Sequence, residues 1–206
     1  MLITRKMLRA VEISGKDKTR DVYMSVFLTP DGQSAVATDG HMLAVVTPNG
    51  ARPPAEEYPL PAGLAQADPP AEGLIIPAET CKAALKSLPK KTGGMPVLRC
   101  ASLVQDGAGA FSIFSTDLKT PHRNEFKPID GVYPKFGQMI PDINKGDFRS
   151  ISINAKLLIS LLNLAMDGES NAVTLHIQAG RESPMVVTSN PEAEEKVVGV
   201  LMPLRI

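Results

Sequence analysis

Apolar and polar residues alternate along this chain with two periods, and the switches between them mark its elements. Residues 3–14 carry the helical period. Met7, Leu8 and Val11 share one face, and Arg5, Lys6, Arg9 and Glu12 the other, with Thr4 as N-cap. A polar loop, GKDKTR, follows at 15–20, and Val22–Leu28 reads as a strand. Thr29-Pro30-Asp31-Gly32 predicts a turn, because Pro presets φ and Gly accepts the left-handed region. Ala35–Val46 predicts two strands joined by a two-residue Asp39-Gly40 turn of type I′. The tip carries more than such a turn requires, with Thr38 before it and His41-Met42-Leu43 after it.

The pattern then breaks. Residues 48–73 hold Pro48, Pro53, Pro54, Pro59, Pro61, Pro69 and Pro70 among Ala, Glu and Gly, which predicts an extended surface insertion that neither pairs in a sheet nor continues a helix. Order returns at Leu74. Pro77 opens a helix over 78–88 that turns Cys81, Ala84, Leu85 and Leu88 inward and Lys82 and Lys86 outward. Strands are predicted at 97–104, 110–115 and 123–126, followed by a Pro-rich connector through Tyr133-Pro134 and Ile140-Pro141. Ser150–Ile153 predicts a short strand, Asn154 caps an apolar helix to Ala165, and strands at 173–177, 185–188 and 197–202 follow.

The three helices begin alike, at Ile3-Thr4, Ile76-Pro77 and Ile153-Asn154, 73 and 77 residues apart. Five positions after each Ile stands Leu8, Cys81 or Leu158, and eight after it Val11, Ala84 or Leu161. The chain therefore reads as three copies of a strand-helix-strands unit. A unit this small cannot bury both its helix and its sheet alone, so pairing within or between chains is expected.

Composition narrows the classes. The 206 residues suit one large domain or two small ones, and 43% apolar with 21% charged residues is ordinary for a globular chain. Without Trp and with few aromatics, the core is expected to be aliphatic and Met-filled. The 22 basic residues balance 22 acidic ones, so any nucleic-acid contact must come from locally clustered charge. Cys81 and Cys100 lie at no metal or redox spacing and are expected to be reduced, as in a cytoplasmic protein. There is no signal-like N-terminus and no run near the ~18 apolar residues of a membrane helix. His41, His122 and His176 are scattered away from ligand spacing, and no nucleotide, metal or cofactor motif is present, which argues against an enzyme.

Five stretches together, ATDGHMLAV, LIIPAETCKAALKSL, GVYPKFGQMIP, INAKLLISLLNLA and VLMPLRI, resemble the bacterial DNA polymerase III β subunit, the sliding clamp. Their order and spacing agree over almost the whole chain. The resemblance implies an α+β DNA clamp fold, in which six similar domains, each of two such repeats, ring duplex DNA with helices inward. Residues 1–142 resemble one complete clamp domain carrying the insertion at 48–73, and residues 150–206 half of another. Keeping twelve repeats with three per chain implies a homo-oligomer, a tetramer. The implied role is a non-enzymatic processivity factor that binds duplex DNA non-specifically and tethers DNA polymerase and other clamp-binding proteins, with a clamp loader as a candidate further partner and the need for one left open. The alternative is a clamp-like adaptor that holds partner peptides without enclosing DNA.

The resemblance also implies sites. A peptide groove would be lined by Met24, Thr38, Gly40, His41, Met42, Leu43 and Pro141. From the last repeat it would add Asn154, Leu157, Pro184, Val200, Met202, Pro203, Leu204 and Arg205. Met and Leu offer an adaptable apolar surface there. Met42 stands where the family usually carries Arg. Contacts to DNA phosphates would come from Arg5, Lys6, Arg9, Lys16, Lys18, Arg20, Tyr23, Lys82 and Lys86, non-specific and salt-sensitive as sliding requires. The third helix has Lys156 as its only basic residue.

Overall fold

The computed structural model describes residues 1–17, 19–49, 52–90, 92, 94–106, 108–143, 150–166, 171–177, 183–192 and 195–204. They form two compact units, 1–139 and 140–206. The first opens with β1 (Leu2–Thr4), α1 (Arg5–Arg9) and a 3₁₀ turn (Ala10–Ile13), not with one helix over 3–14. The physical reason is distant in sequence. Leu2, Ile3 and Thr4 pair antiparallel with Ser102, Ala101 and Cys100, and a helix cannot share those backbone groups. Thr4 still caps α1, its hydroxyl accepting from the Met7 amide.

After α1 come β2 (Ser25–Leu28), β3 (Ala35–Thr38) and β4 (Leu43–Val46). The insertion contributes a 3₁₀ turn (Ala55–Glu57) and β5 (Ala65–Gln66). Then follow β6 (Leu74–Pro77), α2 (Ala78–Ser87), a 3₁₀ turn (Pro96–Arg99), β7 (Cys100–Gln105), β8 (Phe111–Thr116) and β9 (Pro121–Phe126). One sheet runs β4-β3-β2-β6, the other β1-β7-β8-β9 with β5 also on β7. The two repeats exchange strands. β1, which leads into α1, belongs to the sheet that follows α2. β6, which leads into α2, belongs to the sheet that follows α1. The two helices pack together. Between helices and sheets lies a core of Ile3, Met7, Leu8, Val26, Leu28, Ile76, Cys81, Ala84, Leu103 and Ile113. No Trp is needed because small and branched side chains fill this narrow space.

The Pro-rich segment is anchored, contrary to its expected extended surface course. Ala65 and Gln66 pair with Gln105 and Val104, because prolines are absent from those two positions and both amides are free to join the ladder. Tyr58 is buried in a second cluster with Leu2, Val97, Leu98, Cys100, Val104 and Phe114.

In the second unit α3 (Ala155–Ala165) packs on β10 (Val173–Ile177), β11 (Met185–Ser189) and β12 (Val198–Leu201), a sheet in the order β10-β11-β12. The strand expected at 150–153 joins no ladder among the described residues. Its one described backbone bond is the Leu204 amide donating to the Ser152 carbonyl, 2.7 Å. Among the described residues, no helix is long and apolar enough to cross a membrane.

Candidate functional site

The β3–β4 hairpin is closed differently from the expected two-residue turn. Thr38 pairs with Leu43, so Asp39–Met42 form a four-residue loop. The Asp39 carboxylate accepts from the amides of His41 and Met42, both at 2.8 Å. The Thr38 hydroxyl donates to the Met42 carbonyl at 2.7 Å and accepts from the Gly40 amide at 3.1 Å. Gly40 takes φ +94°, where a side chain is strained. Thr38 and Asp39 are therefore the braces of the loop, and this network explains why the tip is richer than Asp-Gly requires. What it presents outward is His41 and Met42, while Leu43 leans on the cluster of Phe27, Val36 and Tyr133.

The amides of Met42 and His41 hold the Asp39 carboxyl below its ordinary range. A depressed carboxylate contributes order above its unfolded value of ~3.9 and loses it as pH falls through the lower folded value. The amide resonances of His41 and Met42 are expected to titrate together with a midpoint below ~3.9, and to lose that titration in Asp39→Ala. A midpoint at or above the unfolded value would remove the brace.

Met24 is half-buried, and its carbonyl accepts from the first amide of α2, Ala78, at 2.9 Å. Pro141 is exposed. In the second unit Asn154 is the α3 cap, its side chain accepting from Lys156 and Leu157 amides. Along β12 the period of two puts Val198 and Val200 outward and Gly199 and Leu201 inward, and Met202 and Leu204 beyond it are also exposed. Pro184 and Pro203 are half-buried, and Leu157 is exposed on α3. Arg205 lies outside the described residues. Thus Met42, Leu157, Val200, Met202 and Leu204 are apolar residues standing in solvent, not core.

Among the basic candidates, Lys6, Lys16, Lys82 and Lys86 are exposed and form no ion pair among the described residues. Arg9 is also exposed but held by Glu12 through two bonds of 2.8 and 2.9 Å. Arg20 lies 4.0 Å from Asp17 and over the Tyr23 ring. Arg5 is not on the outer face as expected. It is half-buried and donates to the Leu88 and Pro89 carbonyls, closing the end of α2, because those carbonyls lack helical partners. Tyr23 packs beside the hairpin loop, 3.8 Å from where a Gly40 Cβ would stand. Lys18 lies outside the described residues.

One feature has no sequence signal. A cleft of about 640 Å³ in the first unit is lined by Phe27, Phe111, Ile129 and Tyr133 with Pro70 and Lys135. None of the residues expected to bind peptide lines it. Its walls come from β2, β8 and the connector, distant segments whose meeting no local pattern announces. Among the described residues no group of three His, Cys, Asp or Glu is arranged to hold a metal. Burial pushes the Cys81 thiol up to about 12, so it is a core residue and not a nucleophile.

No protein-family model matches the chain. The Beta sliding clamp of Synechococcus elongatus is 27% identical over 168 residues, 78% of this chain and 38% of that protein. A DNA polymerase sliding clamp from Pseudomonas aeruginosa superposes with a TM-score of 0.64 at 16% identity, over 98% of this chain and 50% of that one. The one from Bacillus subtilis gives 0.62 at 17% identity, over 98% and 48%. The chain thus spans half or less of the length of these relatives. It has the sliding-clamp fold, and the resemblance read in its sequence holds in both sequence and structure.

Proposed function

We propose, with the sliding-clamp fold as premise, that this protein is a clamp-type processivity factor. Copies assemble into a ring around duplex DNA and tether a polymerase or other partner by a peptide. Residues 1–142 serve as a complete clamp domain and 150–206 as half of one, so that four chains supply twelve repeats. The observation that carries the reading is the clamp fold over 98% of the chain, at half the length of the matched clamp. The relatives' names are those of DNA polymerase clamps, which favours a tethering role over catalysis.

Two local features support it. Lys6, Lys82 and Lys86 stand exposed on two helices packed together, suited to phosphates without reading bases. Exposed apolar residues, Met42 in the first unit and Val200, Met202 and Leu204 in the second, each suit an anchor of a partner peptide. Retention on nicked circular DNA, lost when the circle is cut, is the expected result. Binding indifferent to circularity would reject the ring. In the same preparation Met202→Ala with Leu204→Ala is expected to weaken a polymerase-derived peptide at least tenfold, and unchanged affinity would remove those residues from the peptide site.

A further inference from the structure

The first unit shows how a repeat of this kind covers itself. The strand leading into each helix crosses to the first strand that follows the other helix. Ile3 sits opposite Ala101, and Ile76 opposite Val26. All four are at most 1% exposed. The second unit offers the same two halves of the exchange, both open among the described residues. The segment 150–153 joins no ladder, and β10 pairs only with β11.

The side chains agree. On the sheet, Leu175 and Ile177 lie on the same face as Met185 and Val187, which are buried at 2% and 0%. Yet Leu175 is 44% and Ile177 49% exposed, whereas Val26, Leu28, Ala101 and Leu103 in the first strands of the other two repeats are buried. On the helix, Met7 and Leu157 both stand four positions after the repeat's Ile. Met7 is fully buried, and Leu157 is 53% exposed. Leu164, two turns further along that flank, and Ile159 are exposed too. A helix that is apolar nearly all round belongs inside a protein layer. With Lys156 as its only charge, α3 is not suited to face phosphates.

We infer that the second unit pairs with the second unit of another copy across a twofold axis, reproducing between chains the exchange seen within the first unit. The occupant is a second copy because one repeat carries both the donor segment and the acceptor edge. A twofold satisfies both at once, as an isologous contact does. Ile153 of each chain lies antiparallel opposite Leu175 of the other, and Ile151 opposite Ile177, as Ile76 and Leu74 lie opposite Val26 and Leu28. α3 then packs on its symmetry mate through Leu157 and Leu164, as α1 packs on α2. The pairing also removes an exposed strand edge, which is otherwise a template for aggregation. It gives the self-assembly proposed above its contact, and rests on that reading only for its purpose.

Light scattering of the full chain without DNA or peptide is expected to give at least twice the chain mass of 22.0 kDa at micromolar concentration. A mass of one chain overturns the pairing. Directly opposed antiparallel residues are close enough to be bridged. Mixing Ile153→Cys with Leu175→Cys protein is therefore expected to yield an interchain disulfide that neither variant forms alone. An assembled wild type without that cross-link overturns the register. Leu157→Lys is expected to shift the mass to one chain with helical circular dichroism retained. Should that variant unfold, the cross-link on the otherwise natural surface still decides. A cross-linking pair that slips off nicked circles would keep the pairing and remove the clamp reading. Retention by a protein of one-chain mass would do the opposite.

Discussion

Gly73→Ala is expected to lower the stability of the first unit by about 3–5 kcal/mol, combining positive-φ strain with overpacking. Gly73 closes the turn into β6, its amide donating to the Pro70 carbonyl at 2.8 Å, with φ at +87°. A Cβ there would stand 2.3 Å from two carbons of the Phe27 ring and 2.8 Å from the Leu28 carbonyl. The ring cannot step aside, because it is stacked on Tyr133 with centroids 4.7 Å apart and planes 11° from parallel, and Phe136 closes another side. Gly63 separates the two costs. It has the same φ of +87° but nothing within 4 Å of an added Cβ, so Gly63→Ala should cost only the backbone part, about 1–2 kcal/mol. All three tyrosines, Tyr23, Tyr58 and Tyr133, lie in the first unit and Trp is absent, so tyrosine fluorescence during denaturant unfolding reports on this unit alone. Equal losses for the two variants would show that the Phe27–Tyr133 stack is not rigid. Against a net stability of ~5–15 kcal/mol, the loss at Gly73 is large enough to populate unfolded chains.

Tyr58→Ala is expected to cost a similar amount, about 3–5 kcal/mol, and to release the Pro-rich segment. The Tyr58 ring meets Phe114 edge-on at 6.2 Å and 81°. Its hydroxyl has the Cys100 and Phe114 carbonyls at 3.2 and 3.3 Å as acceptors. Burial raises that hydroxyl above its ordinary range, so it stays protonated and remains a donor. Arg52 ties the start of the same segment to the Gly32 and Gln33 carbonyls at 2.9 and 2.8 Å. Removing the ring leaves the segment held at Arg52 and at β5, and a glutamate-specific protease should then cut at Glu56 and Glu57. Tyr58→Phe keeps the packing and loses one hydrogen bond, about 1 kcal/mol, without faster cleavage. If Tyr58→Ala were as stable and as resistant as Tyr58→Phe, the segment would be a dispensable surface loop after all.

Much of this molecule was legible in residue order. The helical period and its Pro77 and Asn154 starts placed α2 and α3, because helix ends are decided within a few residues. The recurrence of Ile3, Ile76 and Ile153 announced three repeats, and the motifs around the hairpin and the tail pointed to the clamp fold. Of the candidate site residues, Lys6, Lys82 and Lys86 stand in solvent where periodicity left them, and Met42, Met202 and Leu204, which the family resemblance alone singled out, are exposed too. Arg5 is not, since the carbonyls that claim it lie more than eighty residues away.

The sequence by itself determined α2, α3, most of the strands and the repeat, and its motifs pointed to the fold, since each depends on local period, caps and motif spacing. Tertiary structure alone decided which sheet each leading strand joins, and so turned the head of an expected helix into β1. It decided that Asp39 closes a four-residue loop, that Tyr58 pins a proline-rich stretch, and that Leu175 and Ile177 face the core side yet remain uncovered. Each of these is a pairing between residues distant in the chain, and a local pattern states what a segment can become without stating what it will meet.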